Sequence, residues 1–184
     1  MTREGALLVM IAVAVALLAL GAFAWRRRSR RDAGITAPFG EVPDAAAVQT
    51  VSTGFYVATT RHGEALERLA IRGLGFRSRV DVTVTDRGVA LDLVGQPRMF
   101  LSTERIVSVG LANTAIDRVV EPGGLVRLTW RADGADGATE TVDSYLRPQD
   151  GSAQGLAAAI IAILPPSTPT APDQTSTPST GNAA

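Results

Sequence analysis

The sequence predicts a mainly β fold in which about seven antiparallel strands form a sandwich or partly open barrel. A C-terminal α-helix caps this barrel, and a single transmembrane helix precedes it. Three observations support the prediction. Residues 5–25 are uncharged and apolar, several short segments between residues 54 and 147 alternate apolar with polar residues, and residues 153–164 are apolar until two prolines follow. Alternation with a period of two is typical of strands that cover a core with one face.

The N-terminal apolar run is long enough to cross a membrane as a helix. Its 21 residues contain no charge, and roughly 20 apolar residues span the hydrocarbon core of a bilayer. A cleaved signal peptide is the alternative, because small residues near Ala24 resemble a cleavage site. However, Trp25 and five arginines follow at once, and positive charge there impedes translocation. We therefore expect an uncleaved anchor over residues 5–25.

The charge around this helix predicts its orientation. Only Arg3 precedes the helix, whereas five arginines follow it directly: Arg26, Arg27, Arg28, Arg30 and Arg31. Cytoplasmic flanks carry the excess of positive charge, so the N-terminus should lie outside and residues 26–184 in the cytoplasm, at the plasma membrane. The same five arginines are the candidate contacts with anionic lipid headgroups, each contributing about 1 kcal/mol near the surface.

The rest of the chain divides into three predicted regions. Residues 26–52 form a basic juxtamembrane segment and a linker, with a short edge contact near Val48 and Val51. Residues 53–164 form the folded domain. Residues 165–184 are rich in proline, serine and threonine and have no large apolar side chain, so this tail should be disordered.

The predicted strands follow the alternating segments and are separated by glycine and proline turns. Residues 62–75 fit either a short helix or an irregular strand, and residues 98–112 fit one long or kinked strand. The predicted strands cover residues 54–61, 77–85, 89–94, 98–112, 115–120, 125–131 and 139–147. The hairpin between 77–85 and 89–94 has the turn Asp86–Gly88.

The last predicted element is a helix over residues 153–164. It begins after Ser152, and two prolines end it. We expect Leu156, Ile160 and Ile163 or Leu164 to form its buried stripe, with Ile161 at the margin.

The composition predicts a protein that is not an enzyme and holds no cofactor or metal. There is no cysteine, and His62 is the only histidine, so cysteine–histidine catalysis and histidine- or cysteine-rich metal sites are excluded. We expect His62, beside Gly63, to be a solvated turn residue. Asp81, Asp92 and Asp143 lie at outward strand positions, where carboxylates are usually solvated.

The charge balance argues against nucleic-acid binding by the domain. From Asp32 onward the chain has 12 arginines and 17 acidic residues, and an acidic domain repels the phosphate backbone. The expected partners are therefore the membrane and a protein, with no nucleic acid.

Two stretches resemble a known family. "RVDVTVTDRGVALDL" (79–93) and "FLSTERIVSVGLA" (100–112) are similar to the small bacterial pleckstrin-homology-like (PH-like) domains in single-span membrane proteins of actinobacteria. The resemblance covers roughly residues 50–164 and implies a seven-stranded barrel closed by a C-terminal helix.

The resemblance implies a membrane-anchored binding module, a scaffold or adaptor for a protein partner at the cytoplasmic membrane face. Such a fold suits peptide capture at a sheet edge or beside the C-terminal helix. The alternative is a lipid-headgroup-binding or envelope-transport accessory protein, with the arginines of residues 61–79 as its contact surface.

Overall fold

A computed structural model describes residues 3–115, 118–119 and 123–166 of the chain. It contains two α-helices, a short 3₁₀ helix over Ala135–Gly137 and nine strands within these residues. In chain order the elements are α1 (Arg3–Asp32), β1 (Val48–Arg61), β2 (Ser78–Thr85), β3 (Gly88–Leu93), β4 (Met99–Ser102), β5 (Ile106–Ala112), β6 (Thr114–Ala115), β7 (Arg118–Val119), β8 (Leu125–Asp133), β9 (Thr139–Pro148) and α2 (Ala153–Ala162). The predicted disordered tail lies outside the described residues from position 167 onward.

Seven of the strands form one antiparallel sheet in the order β4-β3-β2-β1-β9-β8-β5, while β6 and β7 pair with each other in a separate two-stranded sheet. The two edge strands, β4 and β5, follow each other in the chain and are joined by residues 103–105. A chain spans at most about 3.6 Å per residue, so these edges lie close together. The sheet therefore curls into a partly open barrel, which confirms the predicted fold class.

Alternate residues of the strands fill the inside of this barrel. In β2, Val80, Val82 and Val84 are buried as the alternation predicts, while Asp81 between them is exposed. Trp130 of β8 is fully buried in the same core. This shared apolar interior is what holds the strands in register, since a one-residue slip would turn each buried side chain toward water.

Three of the predicted strands differ substantially from the structure. β1 begins at Val48, before the predicted strand over 54–61, because its first residues pair with the far end of β2. The predicted strand over 98–112 is two strands, since Thr103–Arg105 form a turn in which the Arg105 amide donates to the Ser102 carbonyl at 2.9 Å. The described residues of the predicted strand over 115–120 belong to two separate strands, β6 and β7. Each has two residues, and the two strands pair antiparallel with each other.

The segment over residues 62–75 forms neither a helix nor a regular strand. It makes a series of turns with one isolated bridge, between Thr60 and Arg68. Leu69, Ile71 and Leu74 are nevertheless buried. They belong to the barrel core, so each side chain turns inward without the regular spacing of a helix face. We call residues 62–77 the β1–β2 loop.

The helix α2 closes the barrel as predicted. The Ser152 hydroxyl caps it by accepting a hydrogen bond from the Gly155 amide at 3.0 Å. Leu156 and Ile160 are buried in the barrel core, and Ile163 and Leu164 pack partly against it. The apolar stripe predicted from the sequence is therefore the face that the helix buries.

Part of the predicted linker packs against the domain. The Thr36 amide donates to the Asp133 carbonyl at 2.8 Å, and the Phe100 amide donates to the Pro38 carbonyl at 3.0 Å. Ile35 and Ala37 are buried in the core. The segment thus runs along edge strand β4 and the end of β8, and it covers part of the open side of the barrel.

Candidate functional site

The predicted arginine cluster lies on the last turns of α1, which continues without a break through these residues to Asp32. Arg26, Arg27 and Arg30 are exposed, which leaves their guanidinium groups accessible to a charged surface. The structure does not describe the side chain of Arg28. Contact of this cluster with anionic lipid remains a prediction.

Arg31 differs from its neighbours because the folded domain engages it. Its guanidinium contacts Asp32 at 2.9 Å and Glu67 of the β1–β2 loop at 2.6 Å. The Asp32 side chain is itself buried and accepts a hydrogen bond from the Ala70 amide at 2.9 Å. These contacts hold the end of α1 against the β1–β2 loop.

Asp143 is buried, and the prediction that it is solvated was wrong. Only 1% of its side chain is exposed, although it lies on the outward face of β9. Its carboxylate accepts hydrogen bonds from the Thr129 hydroxyl at 2.7 Å and the Gly63 amide at 3.4 Å, and it lies 3.0 Å from His62 Nδ1. The start of the β1–β2 loop folds over this face, which the strand pattern alone does not reveal.

His62 is half exposed, as expected for a turn residue, but its ring is oriented by the buried carboxylate. The arrangement anchors the start of the β1–β2 loop to β9. Because every hydrogen bond named above for Asp143 connects this loop or β8 to β9, the cluster positions the loop relative to the sheet.

Asp81 and Asp92 are direct neighbours on paired strands β2 and β3. Asp92 accepts hydrogen bonds from Arg98 through both carboxylate oxygens, at 2.7 and 3.1 Å. Its side chain is partly buried, so it is less solvated than expected. The Arg98 guanidinium neutralises this carboxylate, and the hydrogen bond raises the pKa of Arg98. Within the described residues, no group of three histidine or acidic side chains is placed to hold a metal ion.

β5 forms one edge of the seven-stranded sheet. β5 pairs with β8 on one side, and no described strand pairs with its other side. Val107 and Leu111 in this strand are about half exposed, and Ile161 on the adjacent α2 is exposed as well. The edge therefore combines unpaired backbone groups with apolar side chains, which is the surface to which an extended peptide can add a strand.

The N-terminal helix has the length and composition to cross a membrane. Leu7–Asp32, 26 residues, form the candidate span, with a mean hydropathy of 2.8 in its most apolar part, and none of that part is buried by the domain. Among the described residues it is the one helix that meets these criteria.

Comparison with known proteins agrees with the fold. A family model described as "Bacterial PH domain-like" matches residues 36–161, more than half of the 184-residue chain. The match begins at the segment that pairs with β4 and β8, and it ends within α2. No curated protein matches the chain significantly.

Proposed function

The chain belongs to the bacterial PH domain-like family, and we propose that it is a membrane-anchored binding module for a protein partner. In this proposal α1 spans the plasma membrane, and the domain acts as a scaffold or adaptor at the cytoplasmic face. Domains of this kind are typically non-catalytic binding modules. The five arginines after the apolar run support the cytoplasmic placement, because positive flanks remain inside.

The free edge of β5 carries the proposal of a protein partner. An extended segment of a partner pairs its backbone with β5, as in other cases of strand addition to a sheet edge. The exposed side chains of Val107, Leu111 and Ile161 then contact alternate apolar residues of that segment. Main-chain hydrogen bonds supply affinity, and these apolar contacts supply selectivity.

A photo-crosslinking residue tests this edge in living cells. We expect a benzoylphenylalanine at position 111 of the full-length chain to give a discrete protein adduct. The same residue at Val51, an exposed position on β1, should not give that adduct. Identical adduct patterns at the two positions, or no protein adduct at position 111, would contradict partner binding at β5.

Lipid-headgroup binding, or an accessory role in envelope transport, is the second candidate function. The observation that favours it is the exposure of Arg26, Arg27 and Arg30 at the end of α1. Under this alternative, a crosslinker placed at Arg27 of the full-length chain should give lipid adducts, and position 111 should give no protein adduct.

A further inference from the structure

The end of α1 is held against the barrel by hydrogen bonds to the side chain and to the backbone carbonyl of the buried Asp32. Asp32 accepts a hydrogen bond from the Ala70 amide at 2.9 Å, and its own carbonyl accepts one from the Ile35 amide at 3.0 Å. Arg31 adds the ion pair with Glu67 at 2.6 Å. The β1–β2 loop is thereby fixed beside the last turns of the helix, and its distance from the membrane is set by the helix.

The side chains of this loop lie level with the apolar part of α1. Leu66 lines a cavity of about 900 Å³ together with Phe23 and Ala24 of the helix. Phe76 stacks on Trp25, with ring centroids 6.2 Å apart and an interplanar angle of 21°. At a rise of 1.5 Å per residue, Phe23 lies about 4.5 Å closer to the bilayer centre than Arg26. The loop therefore reaches the depth at which the predicted span ends.

Both loop residues are among the most exposed large apolar side chains of the domain. Leu66 is 71% exposed and Phe76 is 73% exposed, and Val94 at the neighbouring β3–β4 turn is 70% exposed. Large exposed apolar patches on a folded domain mark surfaces that bind a partner or a membrane. Because Leu66 and Phe76 both lie beside the end of the apolar helix, the bilayer that receives the helix is also the nearest apolar phase for these side chains.

The charge around these side chains complements an anionic membrane surface. Arg72 and Arg77 of the loop are exposed, as are Arg26 and Arg27 of α1. The charge of Glu67 is neutralised by its ion pair with Arg31. Glu64 is the second acidic residue of this region, and it lines the cavity between Leu66 and α1. Apolar side chains surrounded by arginine are typical of segments that lie at the boundary between headgroups and acyl chains.

We propose that Leu66 and Phe76, with Val94 near Phe76, insert into the interfacial layer of the bilayer at the end of α1. This proposal rests on the proposed membrane anchoring. The inserted loop seats one end of the barrel on the membrane. α2 leaves the sheet after Pro148, which pairs with Gly54 in the first half of β1, whereas the loop follows the last residue of β1. The start of α2 therefore lies several residues along β1 from the loop that the proposal places in the membrane.

Because the natural chain has no cysteine, single cysteines report on each position without background. We would introduce Leu66→Cys, Phe76→Cys, Leu18→Cys and Val48→Cys separately into the full-length chain. Each variant is reconstituted in vesicles of equal parts phosphatidylcholine and phosphatidylglycerol. The rate of reaction with N-ethylmaleimide, which crosses bilayers, is then measured. The reacting species is the thiolate, and apolar surroundings raise the thiol pKa, so a thiol in lipid reacts slowly.

The control positions make the outcomes separable. Leu18 lies within the predicted span, and Val48 is 61% exposed at the start of β1. We expect cysteines at positions 18, 66 and 76 to react several-fold more slowly than the cysteine at position 48. If position 18 is slow while positions 66 and 76 react as fast as position 48, the insertion is refuted and the anchor stands. If position 18 also reacts as fast as position 48, the anchoring itself is refuted.

Discussion

At the scale of single residues, Ser144 connects the polar groups buried inside the barrel. Its hydroxyl lies 2.7 Å from the Thr59 hydroxyl and accepts a hydrogen bond from Trp130 Nε1 at 2.9 Å. The Tyr56 hydroxyl continues this network, at 2.9 Å from the Thr59 hydroxyl and 2.8 Å from the Leu74 carbonyl. Burial raises the pKa of Tyr56, so its hydroxyl remains protonated and a donor. The network thus joins β1, β8, β9 and the β1–β2 loop.

Replacing Ser144 with alanine should destabilise the domain measurably. The indole N–H of Trp130 and the Thr59 hydroxyl would each lose a partner in the core, and an unsatisfied buried polar group costs about 1–3 kcal/mol. The measurement is the free energy of unfolding of the full-length chain in detergent micelles. Ser108→Ala, on the exposed side of β5, is the control. Equal stability of the two variants would show that the network contributes nothing.

Asp150 supplies a pH-dependent contribution to stability. Its carboxylate accepts hydrogen bonds from the Thr53 amide and the Ser52 hydroxyl, both at 2.8 Å. The hydrogen bond from the Thr53 amide is the main cause that lowers the pKa of Asp150. A carboxyl whose pKa is lower in the folded state stabilises the fold above its unfolded pKa. That stabilisation disappears as the pH falls through the folded pKa.

Asp150→Asn should therefore lower the melting temperature at neutral pH, and the difference from the parent should shrink below about pH 4, the ordinary range of aspartate. Melting curves of both proteins over a pH series measure this. Asp44→Asn, an exposed residue in the segment before β1, is the control. A difference between Asp150→Asn and the parent that stays constant down to the lowest pH would argue against the ionised carboxylate as the source.

At the scale of elements, α2 shows how one helix closes a sheet. The helix buries Leu156 and Ile160 and exposes Ile161, so adjacent isoleucines have opposite environments. Ala157, next to the buried leucine, is buried as well, whereas Ala158 is exposed. Among the three consecutive alanines Ala157, Ala158 and Ala159, Ala157 is thus the one that packs against the strands.

The adjacent isoleucines provide a matched test of this closure. Ile160 is fully buried and Ile161 is 52% exposed. Ile160→Ala should cost roughly 2–5 kcal/mol, the range for deleting a large aliphatic core side chain. Ile161→Ala should change the stability much less. Denaturant unfolding of both variants gives the two values. Similar losses for the two would show that α2 is not packed on the core through the predicted stripe.

At the scale of the whole molecule, the distribution of charge along the chain predicts the side of the membrane on which the domain lies. The five arginines after the apolar run outweigh Arg3 before it. A reporter that is active only outside the cytoplasm, fused after Ala184, should therefore give no signal. Replacing all five arginines with glutamine should raise that signal, because the positive charge that keeps this flank in the cytoplasm would be lost. A strong signal from the unaltered chain would place the domain outside.

Much of the fold could be predicted from the sequence because its signals are local. The alternation in residues 77–94 predicts β2, β3 and their turn, and the spacing of Leu156 and Ile160 predicts the buried face of α2. The β1–β2 loop could not be predicted in this way. Leu69, Ile71 and Leu74 are buried without a helical or strand period, because they fill the core from a series of turns.

The candidate sites also differ in whether the local sequence reveals them. The arginine cluster at the end of α1 is visible as a run of charge. The free edge of β5 is not, because it depends on which strands become neighbours and on the turn at Thr103–Arg105 that separates β4 from β5. Asp143 gave no local sign of burial, since the segment that covers it comes from a distant part of the chain.

By itself the sequence determined the apolar span, the positions of most strands, the closing helix and its buried stripe. Each of these follows from the spacing of side chains within a few turns or strand residues. Only the tertiary structure decided that Asp143 is buried, that Phe76 stacks on Trp25 and that no described strand pairs with the outer side of β5. These features join residues far apart in the chain. Such contacts depend on how the sheet curls and where the loops fold over it, and no local period encodes that geometry.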